Sequence, residues 1–141
     1  MNSLTLVAML WAVLLPQVSV PKEVTGFICI PDYATGFSPD RSGKWEPTQF
    51  DVKGKRYLLR VKESRWYWTR FGEEPVERID LCTSFNEAGF SECKNREDPV
   101  MFNRKKLRFQ VVHPYGYVVS DTAMDKKPIT PFYEIGTCSP L

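Results

Sequence analysis

Four cysteines, Cys29, Cys82, Cys93 and Cys138, constrain the fold of this 141-residue chain more than any other feature. An even cysteine count in a small exported chain reads as two disulfides. Zinc would want ligands paired at short spacing, and the chain contains no C-x-x-C and no H-x-x-x-H, so neither a metal nor a cofactor is expected. Four cysteines allow three pairings, and local geometry favours one of them. Cys82 and Cys93 flank a hairpin that turns at Asn86-Glu87-Ala88-Gly89, where Asn starts the turn and Gly89 supplies a positive φ. A ladder symmetric about that turn opposes Phe85 to Phe90, Ser84 to Ser91 and Cys82 to Cys93. Opposed residues lie about 4.5–5.5 Å apart at Cα, within disulfide reach. Cys29 and Cys138 are then left to each other. That bridge makes the first and last strands neighbours, as closing a sheet into a barrel requires.

Whether thiols oxidise depends on the compartment, and the N-terminal segment bears on it. The chain has 19 Lys+Arg and 17 Asp+Glu, and none of them falls in residues 1–20. Leu4 to Leu15 is an almost unbroken apolar run. A membrane-spanning helix needs about 20 such residues, whereas this run has the length of the apolar region of a secretory signal. Pro16 would break any longer helix. No basic residue precedes the run, and Val18-Ser19-Val20 matches a cleavage site only loosely. The expectation is a signal peptide over 1–20 and a single disulfide-bonded β domain over 21–141, periplasmic or extracellular. An uncleaved membrane anchor is the competing reading.

The body has only three Ala and five Leu, against a wealth of Val, Ile, Thr and aromatic residues that favour strands. Pro and Gly punctuate it at short intervals. Alternation with period two places Tyr57, Leu59 and Val61 on one face of 56–62, and Leu107, Phe109 and Val111 on one face of 106–112. Strands are expected near 25–31, 45–51, 56–62, 65–71, 77–85, 90–94, 100–103, 106–112, 116–120 and 132–138. Turns fall at Asp40–Gly43, Val52–Lys55, Asn103–Lys106 and His113–Gly116, with a longer loop over 121–131. This is an all-β chain, a single small antiparallel β-barrel or sandwich with its first and last strands bridged.

Candidate chemistry is sparse. The lone His113 precedes Pro114 in a turn and reads as a polar turn residue, since no G-x-S-x-G elbow accompanies it. Carboxylates for glycoside hydrolysis would have to come from Asp32 and Asp40, which bracket the aromatic loop Tyr33–Phe37, or from Glu73-Glu74. The most unusual stretch is Arg56–Phe71, which interleaves Arg56, Arg60, Lys62, Arg65 and Arg70 with Tyr57, Trp66, Tyr67, Trp68 and Phe71. Its bland reading is two strands whose aromatics fill a core. Its functional reading is a contact surface for a protein or a glycan. A net charge of only +2, together with export, argues against nucleic acid.

Read end to end, the body resembles a widespread group of small exported proteobacterial proteins of uncharacterised function. The resemblance rests on Cys29-Ile-Pro-Asp with Thr35-Gly36-Phe37, Lys44-Trp45 ahead of Phe50, Tyr57-Leu58-Leu59, and Trp68 with Phe71-Gly72. It continues through the Cys82/Cys93 hairpin, Phe102-Asn103 and Leu107-Arg108-Phe109 to Ile135-Gly136-Thr137-Cys138. It implies no activity. More loosely, a short exported barrel with a bridged C-terminal Cys is similar in fold to the lysozyme-inhibitor barrels of Gram-negative periplasms, and fold does not fix function.

The resulting expectation is an exported, non-enzymatic β domain that binds a protein or glycan of the cell envelope. Its contact residues are expected among Arg65, Trp66, Trp68 and Arg70, or around Asp32 and Tyr33. The alternatives are a small carboxylate-dependent hydrolase and a lysozyme-inhibitor-like periplasmic protein.

Overall fold

The computed structural model describes residues 23–95, 98–119 and 129–141. The expected signal peptide or anchor lies outside the described residues, as does most of the expected loop over 121–131. Among the described residues no helix is long and apolar enough to cross a membrane.

Eight antiparallel strands make up the domain: β1 (Gly26–Pro39), β2 (Trp45–Phe50), β3 (Tyr57–Lys62), β4 (Arg65–Arg70), β5 (Phe90–Asn95), β6 (Asp98–Asn103), β7 (Arg108–His113) and β8 (Phe132–Pro140). They lie in the order β4-β3-β1-β8-β7-β6-β5, with β2 paired to the far half of β1. The two ends of this order meet through residues 80–83. On one side Trp68 N–H donates to Asp80 C=O and Cys82 N–H to Trp66 C=O, both at 2.9 Å. On the other side Thr83 N–H donates to Glu92 C=O at 2.8 Å and Lys94 N–H to Leu81 C=O at 3.2 Å. The sheet is therefore a nearly closed barrel, with β1 and β8 paired and Cys29 directly opposite Cys138. Both expected disulfides, Cys29–Cys138 and Cys82–Cys93, are present. Such bridges mark an oxidising, non-cytoplasmic environment.

Alternation puts Tyr57 and Leu59 of β3, and Phe109 and Val111 of β7, inside the barrel with both disulfides. Trp68 closes on them, stacked on Tyr57 at 5.0 Å and tilted against Phe109 at 5.1 Å. Phe27, Phe102, Trp66 and Phe85 fill the other half, with ring centroids 4.9–5.9 Å apart.

Three expectations are corrected. The strand expected over 77–85 is limited to isolated bridges at Leu81 and Cys82. The Asp80 carboxylate accepts from Val76 N–H at 2.8 Å and folds the preceding residues into a turn, a local bond that competes with a ladder. The strand expected over 116–120 is instead a single helical turn, α1 (Gly116–Val119). Gly116 sits so close to Ile129 and Pro131 that a Cβ there would meet backbone at 2.4 Å. Finally, the loop expected between Asp32 and Asp40 is strand, because β1 runs on to Pro39. Pairing survives across Pro31 because a bulge there replaces the ladder.

The β3–β4 connection is a two-residue turn in which Glu63 and Ser64 have φ of 50° and 64°, the pattern of a type I′ hairpin that Asn-Gly suits best. A left-handed residue with a Cβ costs about 1–2 kcal/mol, offset in part by the greater unfolded-state freedom of glycine. Ser64→Gly is therefore expected to stabilise the domain by about 0.5–1 kcal/mol, net of those two effects. Urea unfolding should show a higher midpoint at unchanged slope.

Candidate functional site

Two exposed regions carry chemistry, and neither is the surface centred on the tryptophans. Trp68 is fully buried and Trp66 half-buried, because β4 turns both rings into the barrel. Tyr67 and Thr69 on the opposite side of the strand are buried as well. Arg65 and Arg70 are the exposed members of that expected group. Arg65 is held by Glu77, whose carboxylate raises the guanidinium pKa further above its ordinary value. The four residues therefore do not form one contact surface. The structure separates Arg70 from the rest and places it at a mouth of the barrel.

The candidate carboxylates are dispersed. Asp40 accepts from the Ser42 hydroxyl and the N–H groups of Ser42 and Lys44 at 2.7–3.0 Å. The Ser42 hydroxyl first, and then these backbone donors, hold its pKa below the usual value; its role is to tie the β1–β2 turn. Glu74 pairs with Arg60 at 3.0 Å, and Glu73 N–H bonds the Arg70 carbonyl. Asp32 lines a groove on the outer face, without Asp40, Glu73 or Glu74 beside it.

Asp32 and Tyr33, in contrast, are brought together on a surface. The register of β1 on β8 passes from Pro31↔Gly136 to Tyr33↔Ile135, so Asp32 is the extra residue of a β-bulge. A bulge redirects side chains, and here two successive residues, Asp32 and Tyr33, both face solvent. Gly136 permits this: a Cβ there would lie 2.3 Å from the Ile30 carbonyl and 2.5 Å from the Phe109 ring. From Tyr33 a row of opposed outward residues crosses the sheet through Ile135, Gln110 and Met101. Tyr33 is 71% exposed and Ile135 43%. Ile30, Phe90 and Tyr133 are exposed close by, and Lys106 and Arg108 stand at the margin. Of these, Tyr33, Phe90, Met101, Ile135, Lys106 and Arg108 line a shallow groove of about 430 Å³. A contiguous apolar face with a charged rim is the composition of a protein contact site.

The second region is the mouth formed by the β2–β3 turn and the end of β4. Gly54, Lys55, Arg56, Tyr57, Arg70 and Phe71 surround a depression of about 410 Å³. Behind it lies Glu134, which no sequence pattern singled out. It is fully buried, and its Oε2 accepts from Lys55 Nζ at 2.9 Å. Burial first, and then the facing Glu134 carboxylate, hold the Tyr57 phenol pKa well above its ordinary value. Alternation along β8 puts residue 134 inside the barrel, but a carboxylate in that position gives no sign in sequence of the Lys55 that neutralises it. Further around the same end, His113 pairs with Asp98 and stacks on Phe132 at 5.4 Å. The lone histidine is thus held at the end of β7 and is not a free turn residue.

Compared with known proteins, the chain matches no family model, no curated protein and no solved structure.

Proposed function

We propose that the protein works outside the cytoplasm as a non-enzymatic binding domain for a protein of the cell envelope, which it meets with the outer face centred on Tyr33 and Ile135. The observation that carries this reading is the bulge in β1. It sets an acid and an exposed tyrosine side by side on a face whose neighbouring strands present Met101, Ile135 and Tyr133 to water. Aromatic anchors beside a charged rim are where interface energy concentrates. The disulfides support the compartment, and residues 1–20 supply the expected export signal. A hydrolase needs two carboxylates converging on one bond, and the dispersal of Asp32, Asp40 and Glu73-Glu74 weighs against it.

A photo-crosslinker at Met101, in the oxidised protein added to its native envelope fraction, should trap a defined protein. Tyr33→Ala/Ile135→Ala should lose that product. Its affinity for the purified partner should fall at least about thirtyfold, the effect of removing one to two interface anchors, at a nearly unchanged melting temperature because both side chains are exposed. Equal trapping from a crosslinker at Lys53, or full affinity in the double variant, would refute the assignment.

A further inference from the structure

The mouth beside Lys55 is the second place where the molecule offers a ligand something specific. Tyr57 of β3 is directly opposite Arg70 of β4, and Phe71 N–H donates to the Arg56 carbonyl at 2.9 Å just beyond the last register pair. Hairpin pairing therefore delivers Arg56 and Arg70 to the same strand end. The Arg56 guanidinium lies 5.7 Å from the centroid of the Phe71 ring, which gives it a resting place. Phe71 is itself 56% exposed. Lys55 enters from the adjoining turn, its ammonium held between Glu134 and the Phe132 ring, 5.6 Å from the centroid.

The carboxylate behind this cluster, Glu134, has its Oε2 taken by Lys55. Among the described residues neither Arg56 nor Arg70 forms an ion pair. Arg60 and Arg65, on the same hairpin, are both paired. Two exposed guanidinium groups thus stand without an ion-pair partner among the described residues, on a concave surface large enough for a ring-sized ligand. Guanidinium groups bind carboxylates and phosphates through short, paired hydrogen bonds. The exposed Phe71 face beside them suits the apolar side of a small ring.

We propose that this mouth is a binding site for an oxyanion, a carboxylate or phosphate group, gripped by Arg56 and Arg70 with Lys55 behind them, on a ligand no larger than one or two sugar rings. The site lies apart from the outer face around Tyr33 and does not rest on the reading made for that face.

The test is calorimetric titration of the full oxidised protein at low salt with glucuronate, glucose 6-phosphate, inorganic phosphate and glucose. Glucuronate and glucose 6-phosphate should bind, with affinity that falls as salt is raised, and glucose should not. Phosphate binding as tightly as glucose 6-phosphate identifies a site for the free oxyanion, and weaker phosphate binding identifies the sugar-borne group. Arg56→Gln and Arg70→Gln should each weaken binding about tenfold, as the loss of a charge-assisted hydrogen bond does. Both side chains are exposed, so the fold should survive. Lys105→Gln/Lys106→Gln, which removes cations elsewhere, and Tyr33→Ala should leave binding unchanged. The proposal is overturned if no oxyanion binds, if the arginine variants bind as well as the parent, or if the Lys105/Lys106 variant loses affinity equally.

Discussion

Trp68→Ala should destabilise the domain by about 3–5 kcal/mol, the range for truncating a large buried aromatic side chain. The indole is fully enclosed, stacked on Tyr57 and packed against Phe109, so alanine would leave a void walled by rings that strand pairing holds in place. Domains of this size are stable by about 5–15 kcal/mol in total, so the variant should lose a substantial part of its stability and melt at a clearly lower temperature. Thermal melting followed by near-ultraviolet circular dichroism would read the effect. Trp68→Phe should recover a large share of the loss, because it keeps a ring and removes an indole N–H that has no hydrogen-bond partner among the described residues. A well-folded Trp68→Ala protein with a lost partner would reverse the assignment and return Trp68 to the surface.

The second large effect concerns the bridge between the ends of the domain. Cys29 and Cys138 are 109 residues apart in sequence, and Cys82 and Cys93 are 11 apart. In the chain-entropy model, closing the longer loop stabilises by about 5 kcal/mol and the shorter by about 3 kcal/mol. Cys29→Ser/Cys138→Ser should therefore cost more than Cys82→Ser/Cys93→Ser. The first pair also fastens β1 to β8, the contact that joins the two ends of the chain. Guanidinium unfolding of the two double variants gives the comparison. Equal losses, or a larger loss from the Cys82/Cys93 pair, would show that native packing and not loop length sets the contribution.

Much of the architecture was legible in particular residues. Period-two alternation over 56–62 put Tyr57 and Leu59 on one face, which the barrel buries, and Gly89 marked the turn ahead of β5 through the positive φ that it adopts at 85°. The missed elements have physical causes. Leu81 and Cys82 were read as part of a long strand because their composition is apolar, yet a single carboxylate, Asp80, bends the chain just before them. The far half of β1 was read as a loop because Pro31, Gly36 and Pro39 are turn residues by composition. Tertiary contact overrode composition there: β1 is paired on both sides, by β2 and by β8.

The two candidate sites were legible to different degrees. Asp32 and Tyr33 were singled out from the sequence, but as flanks of a loop. Their joint outward orientation depends on a bulge, which is a mismatch in pairing with β8 and has no local signature. The basic–aromatic stretch was conspicuous, and its resolution into parts was hidden. Alternation placed Trp66 and Trp68 on a shared face without saying which side of the sheet was the inside. Barrel closure through residues 80–83 decided that.

By itself the sequence determined the β class, the position of most strands, the pairing of the four cysteines and the adjacency of the first and last strands. These follow from local quantities: propensity, periodicity, and the symmetry of a hairpin about its turn. Only the tertiary structure decided which aromatics are core, that Arg60 and Arg65 pair with Glu74 and Glu77, and that Glu134 is buried against Lys55, 79 residues away in sequence. Those are properties of distant residues meeting. Burial and charge balance depend on every neighbour in space, and a one-dimensional pattern names only the neighbours along the chain.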